Sequence, residues 1–198
     1  LFGAKKKAEK GILTSEEALT VFEKIEAQSN RAQRIVDDVR KYAKQKAGKY
    51  EKFSLSGAVD SALKDFKDSG SYLGALKVAV NENIMMRGSR LEIELVVHNL
   101  LKNAAESISQ HRRRYPLISI ALSKKDDKAK LIVSDNGGSM ADSPSNVLSS
   151  SKPEGLGLGL LIVKAIAARH GGCFRLDVDD KQATACLTLP IPEDLNEK

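Results

Sequence analysis

Lys152-Pro153-Glu154-Gly155-Leu156-Gly157-Leu158-Gly159-Leu160 is the stretch on which the fold of this 198-residue chain turns. Three glycines alternate with three leucines where an apolar helical pattern opens. That pattern runs from about Leu158 to Arg169, and Gly171 ends it. Glycine lets the backbone come up to a phosphate with no Cβ in the way. The N-terminus of a helix adds free N–H groups and the positive end of the helix dipole. The leucines between the glycines can point inward and anchor the loop. Read alone, the same residues can also make a tight structural turn.

Two further motifs lie upstream. Asp135-Asn136-Gly137-Gly138 follows the apolar run Leu131-Ile132-Val133. A carboxylate at the end of a strand, beside two glycines, can accept a hydrogen bond from an exocyclic amine while a flat ring slides over the glycines. Asp-Asn-Gly is also a common turn. Earlier still, Asn99 and Asn103 stand four apart within Asn99-Leu100-Leu101-Lys102-Asn103-Ala104-Ala105-Glu106. That spacing puts both amides on one helix face. An amide oxygen is a hard ligand suited to magnesium, which keeps most of its waters and takes other ligands from phosphates. Two surface asparagines would show the same spacing.

Around these motifs the chain alternates helical and extended patterns. Leu55 to Ser69 predicts a helix and Lys77 to Val80 a strand. Ser89 opens a helix to about Gln110, with Glu92 three residues on in the pattern of a capping box. Strands are expected over Leu117–Ser123 and Ala129–Ser134, then a Ser- and Pro-rich loop from Asn136 to Glu154. Its composition is that of a mobile lid. Two last strands follow, Cys173–Val178 and Ala183–Leu189. Hairpins mixed with helices predict an α+β fold, a mixed, antiparallel-rich sheet covered by helices on one face. A two-residue turn at Asp179-Asp180 would pair Cys173 with Cys186, both on the face opposite the apolar row, with Cβ atoms ~4.5–5.5 Å apart. That is slightly beyond disulfide reach, so free thiols are expected.

Ahead of this unit, Thr14 to Ala47 predicts one long helix. Thr14 or Ser15 can cap it, and Leu19, Phe22, Ile25, Ser29, Ala32, Val36, Val39 and Ala43 follow spacings of three and four. At ~1.5 Å per residue such a helix is ~50 Å long, too long for the domain behind it, so its seam should meet a partner helix or a second subunit. The divisions expected are therefore 1–48 helical, 49–54 linker, 55–190 the sheet-and-helix domain, and 191–198 tail.

Composition sets outer bounds. Hydrophobic residues at 41% and charged residues at 29% fit a globular protein rather than a disordered one. No apolar run reaches the ~18 residues of a membrane span. The chain starts at Leu1, which suggests a fragment whose membrane segments would lie upstream, with this portion in the cytoplasm. The net charge of +6 leaves nucleic acid open as a ligand class. The densest basic cluster, Arg112-Arg113-Arg114, lacks interleaved aromatics, however, and reads as a solvated loop rather than a groove.

In this order and spacing the three motifs resemble the Bergerat nucleotide-binding fold, an α/β sandwich shared by gyrase-type topoisomerases, heat-shock chaperones, mismatch-repair ATPases and sensor histidine kinases. The resemblance covers roughly Leu55 to Pro190, with Gly171-Gly172 before the final hairpin ending in Leu189-Pro190. Asn99 to Glu106 resembles the N box, Asp135 to Ser139 the first glycine box, and Lys152 to Leu160 the second glycine box of histidine kinases. Gln28, Arg31, Ala32, Ile35, Val36 and Arg40 resemble the second helix of the kinase dimerisation and phosphotransfer hairpin, nearest in flavour to dicarboxylate sensors. The resemblance implies ATP and magnesium as cofactors. Asn103 would coordinate the metal, with Asn99 and Lys102 close to it and to the phosphates. Asp135 would accept the adenine amine and Gly137 would line the adenine pocket. Gly155, Gly157 and Gly159, with Leu156 and Leu158 between them, would border the phosphates, and Lys152 is a further phosphate candidate. The implied partners are nucleotide, the phosphoacceptor helix of the same kinase or its dimer mate, and a response regulator, with a homodimer in the full-length protein.

Three departures from the pattern carry weight. Ser139 stands where the first glycine box has its second glycine. Val147-Leu148-Ser149-Ser150-Ser151 replaces the aromatic F box. None of the three histidines, His98, His111 and His170, is followed by the acidic residue and proline of a phosphoacceptor site, so all three are expected to be structural or solvated. Two rival functions remain: ATP hydrolysis, and a non-catalytic nucleotide-binding or dimerisation module. The hydrolases of the superfamily place a glutamate one turn before the metal-binding asparagine. Here that position is Asn99, a poor general base, which favours transfer to a histidine.

Overall fold

The computed structural model describes residues 7, 14–26, 29, 33, 50–80, 83–138 and 158–195. The expected lid (139–154), Lys152, Gly155, Leu156 and Gly157, and the long helix beyond residue 33 lie outside the described residues.

Among the described residues, α1 covers residues 15–26. Thr14 caps it by a reciprocal pair. Its hydroxyl accepts from the Glu17 N–H, and its own N–H donates to the Glu17 carboxylate, both at 3.2 Å. Leu19, Phe22 and Ile25 on this helix are exposed.

Strands β1 (Glu51–Ser54) and β3 (Met85–Gly88) pair antiparallel with each other as a small separate sheet. The five-stranded sheet has the order β2-β4-β5-β7-β6, from β2 (Ala75–Val80), β4 (Leu117–Lys125), β5 (Lys128–Asp135), β6 (Cys173–Val178) and β7 (Ala183–Pro190). Only β2 runs parallel to its neighbour. Register stacks one face into apolar rows: Ile120 opposite Val133 and Val133 opposite Ala185, then Leu122, Leu131 and Leu187. The other face carries Ser119, Ala121, Ser134, Thr184 and Thr188. This period-two division is what lets one side be covered and the other left open.

Three helices cover the apolar side. In α2 (Leu55–Asp68) the buried set Leu55, Ala58, Val59, Ala62, Leu63 and Phe66 repeats at three and four, with the Ser54 hydroxyl accepting from Gly57 N–H at the start. Helix α3 (Arg90–Gln110) lies centrally, packed on α2, on α4 (Leu158–Arg169) and on β4 and β5. Leu101, Ile93, Ile120, Leu131, Val163 and Ile166 are fully or almost fully buried, each such side chain contributing roughly 1.5–3 kcal/mol. The α+β sandwich expected from the sequence is the fold observed.

Several local expectations need correction. Residues 51–54, read as linker, form β1. Neither β1 nor β3 was legible, because four residues show too little alternation and each pairs only with the other. Part of the expected tail is integral: Ile191 is buried, and Asp194 pairs with Arg87 at 2.7 Å. The β6–β7 turn occupies residues 179–182 rather than two residues, so Val178 pairs with Ala183 and Cys173 with Thr188. The cause is the Asp179 side chain, which accepts from the N–H groups of both Lys181 and Gln182 at 2.8 Å and holds the wider turn. Cys186 then lies opposite Arg175, diagonal to Cys173 on the same face, and both thiols are free.

Candidate functional site

The described parts of the three sequence motifs lie on α3 (Asn99 to Glu106), at the end of β5 (Asp135 to Gly138) and in the first turn of α4 (Gly159). Asp135 is the last residue of β5, flanked by Ile118 and Ala183 in the ladder, so its carboxylate emerges on the helix-covered face and is 7% exposed. Oδ1 accepts from Gly137 N–H at 2.8 Å, which fixes the rotation of the carboxylate. Its charge, after burial itself, helps hold the phenol of Tyr72 above the usual tyrosine pKa.

The backbone beyond Asp135 is held by close packing and by polar ties. Gly137 lies against α3 so tightly that a Cβ there would stand 2.2 Å from Ser107 Oγ and 2.6 Å from Asp135 Oδ1. Gly138 has φ +27° and is pressed on the β6–β7 turn, where a Cβ would stand 2.2 Å from Gln182 N. Asn136 extends the ladder sideways: its amide oxygen accepts from Leu117 N–H at 3.0 Å and its amide nitrogen donates to Tyr115 C=O at 2.7 Å.

Two turns back along α3 from Ser107, Asn99 is buried and donates through Nδ2 to Leu95 C=O at 2.9 Å. Asn103 follows one turn on, and its Nδ2 is buried with no hydrogen-bond partner among the described residues. Both face the first turn of α4. A Cβ on Gly159 would stand 2.8 Å from Asn99 Oδ1 and 3.8 Å from Asn103 Nδ2. Lys102 is half-buried. Leu158 is the first residue of α4. The structure thus brings together Asn99, Asn103 and Gly159, and separately Asp135 with Gly137, while Lys102 lies on α3 between the two asparagines in sequence.

These residues fit a magnesium–nucleotide. The amide of Asn103 has a buried polar end without a partner among the described residues, and its two ends are interchangeable by rotation. One oxygen ligand suffices for a cation that keeps several waters and binds phosphates. Among the described residues no cluster of three or more His, Cys, Asp or Glu could hold a metal by itself.

Two of the histidines are tied to backbone groups. His170 is buried, its Nε2 accepting from Ser89 N–H at 3.2 Å and its Nδ1 lying 2.9 Å from Ile166 C=O, under the Tyr50 ring. His111 closes α3 with Nδ1 2.7 Å from Ser107 C=O. His98 sits half-buried within α3. Two residues of the corner were not foreseen. Ser107 continues the spacing of Asn99 and Asn103 by another four, a signal that was present. Arg113 was read as solvated, but only part of its cluster is: Arg114 covers the Tyr115 ring at 5.4 Å, while Arg113 turns inward onto Gly137 and Gly138.

Comparison with known proteins follows the same outline. Residues 88–193 match the family described as histidine kinase-, DNA gyrase B- and HSP90-like ATPases. Sporulation kinase D of Bacillus subtilis is 27% identical over 184 residues, covering 89% of this chain and 36% of that protein. The C4-dicarboxylate transport sensor protein DctS of Rhodobacter capsulatus is 25% identical over 180 residues, covering 87% of this chain and 27% of that protein. The chain thus spans about a third of the length of these relatives. Among solved structures, the histidine kinase AdeS of Acinetobacter baumannii superposes with a TM-score of 0.60 at 19% identity, covering 98% of this chain and 93% of that one, a likeness of fold.

Proposed function

Because the chain belongs to the family of histidine kinase-, DNA gyrase B- and HSP90-like ATPases, we propose that it is the ATP-binding catalytic portion of a sensor histidine kinase. It binds magnesium-ATP and presents the γ-phosphoryl group to a histidine on a phosphoacceptor helix, of its own kinase or of a dimer mate. The product then serves a response regulator in the cytoplasm.

Each part of the site has a task. Asp135 accepts the adenine amine, its carboxylate oriented by Gly137 N–H. Gly137, with no side chain, leaves the floor flat for the base. Asn103 holds the magnesium through its amide oxygen, with Lys102 adding positive charge and Gly159 opening the first turn of α4 to the phosphates. Bound magnesium-ATP supplies the phosphoryl group and the charge neutralisation that its transfer needs.

Transfer is favoured over hydrolysis by one observation. The residue a turn before Asn103 is Asn99, buried, with its amide nitrogen committed to Leu95 C=O. An amide cannot take a proton from water as a carboxylate would, whereas an acceptor imidazole is a nucleophile without such help.

The test is nucleotide titration by calorimetry with and without magnesium, then incubation of the loaded chain with γ-labelled ATP and an acceptor hairpin from a kinase of the dicarboxylate-sensor type. Magnesium-dependent binding followed by label on the hairpin histidine is expected. Steady release of inorganic phosphate without an acceptor would favour a hydrolase, and absence of nucleotide binding would sink both readings.

A further inference from the structure

We propose that Arg113 is a positioning residue of the nucleotide site, a clamp that sets the adenine floor from behind. Its guanidinium donates to three backbone carbonyls that belong to two separate parts of the chain. Nε and Nη2 reach Gly137 C=O at 3.2 and 2.9 Å, and Nη2 also reaches Gly138 C=O at 3.3 Å and Asp180 C=O at 3.0 Å. A planar fork of fixed donors is suited to such a bridge, and an ammonium is not.

What the clamp joins gives it a functional consequence. Gly137 and Gly138 are buried and follow Asp135 with Asn136 between, while Asp180 belongs to the turn that Asp179 shapes. Gly137 is held at its carbonyl by Arg113 and at its N–H by Asp135 Oδ1. The two ties grip the peptide units on either side of the Gly137 Cα, so a shift of one is passed through that Cα to the other and to the carboxylate bonded to it. Gly138, with no Cβ, is what lets the turn come close enough for one side chain to span both parts. Arg113 thus acts on base recognition through Gly137 without touching the base.

This rests on the reading of Asp135 as the acceptor of the adenine amine, so the experiment separates the two. Affinities for ATP and for purine riboside triphosphate, which lacks that amine, are measured by calorimetry on the full chain as wild type, Arg113→Ala and Arg113→Lys. Amide exchange of Gly137, Gln182 and Val163 is followed without nucleotide. Arg113→Ala should lower ATP affinity by about tenfold, in line with loss of one charge-assisted contact, and bring the ATP-to-analogue ratio close to one. Gly137 and Gln182 amides should exchange faster while Val163, in the core of α4, is unchanged. Arg113→Lys, which keeps the charge but not the fork, should fall between. A wild-type preference for ATP that persists undiminished in Arg113→Ala overturns the clamp, as does unchanged exchange at Gly137. A wild-type chain that binds both nucleotides equally overturns the reading of Asp135, and with it the role of Arg113 in base recognition.

Discussion

Asp135 and Asn103 represent opposite conditions for a buried polar group. The first has a partner in Gly137 N–H; the second has an amide end with none among the described residues. Asp135→Asn should keep the fold, because an amide can occupy the same space. It can, however, turn an N–H toward the adenine amine where an acceptor is needed. Loss of a charged hydrogen bond is worth ~1.5–3 kcal/mol, so ATP affinity should fall by roughly one to two decades. Calorimetry with ATP and GTP checks this, and unchanged affinity with GTP bound equally well would assign Asp135 another task. Asn103→Ala removes a group without a hydrogen-bond partner among the described residues. It should leave thermal stability close to that of the wild type while abolishing magnesium-dependent nucleotide binding. Retained magnesium dependence would remove Asn103 from the metal.

Helix α3 shows how far local sequence carries at the scale of an element. Ser89 caps it as the spacing to Glu92 implied, its hydroxyl accepting from Glu92 N–H at 3.4 Å. The other half of the capping box is absent. Ser89 N–H donates to His170, and the Glu92 carboxylate, fully buried, pairs instead with Arg169 at the end of α4, 2.5 Å away. A four-residue motif could not announce a partner on another helix. The β6–β7 register had the same weakness: alternation named the strands, but the side chain of Asp179 decided the turn. Arg113 is a third case, a charged loop residue whose acceptors are backbone carbonyls and therefore leave no mark in composition. Arg169→Ala should destabilise the chain by about 3 kcal/mol, because it leaves the Glu92 carboxylate buried with only the His170 ring, Nδ1 3.8 Å away, beside it. Replacing both Glu92 and Arg169 by Met should recover most of that loss. Urea unfolding distinguishes the two, and a single variant as stable as the double would show that the pair is incidental.

For the whole molecule, the described core begins at Phe53 and ends at Ile191, and the exposed apolar residues of α1 contribute nothing to it. We expect residues 50–198 to unfold cooperatively on their own, with a midpoint within a few degrees of the full chain and the same ATP affinity. Association between chains should be lost with residues 1–49, since Leu19, Phe22 and Ile25 form the start of the proposed seam. Sedimentation and calorimetry on the two lengths test this. A shorter chain that melts much earlier would mean that the N-terminal segment packs on the domain and is not a separate unit.

The ladder also carries an order in time. Strands β4 and β5 are joined by a tight turn, and their pairing closes a short loop, among the quickest events open to a chain. The β5–β7 pairing must wait for a long excursion through α4 and β6, and the entropy of that closure is overcome only when the distant strand docks. Asp135 sits on the early strand, whereas Ala183 beside it and the turn against Gly138 arrive with the late one. During refolding, β-sheet signal should therefore appear before the ability to bind nucleotide, with ATP-analogue fluorescence lagging behind circular dichroism; coincident phases would contradict this order. A nascent chain of this kind would hold its β4–β5 hairpin while still unable to take up ATP, so competence becomes a late checkpoint on its own maturation.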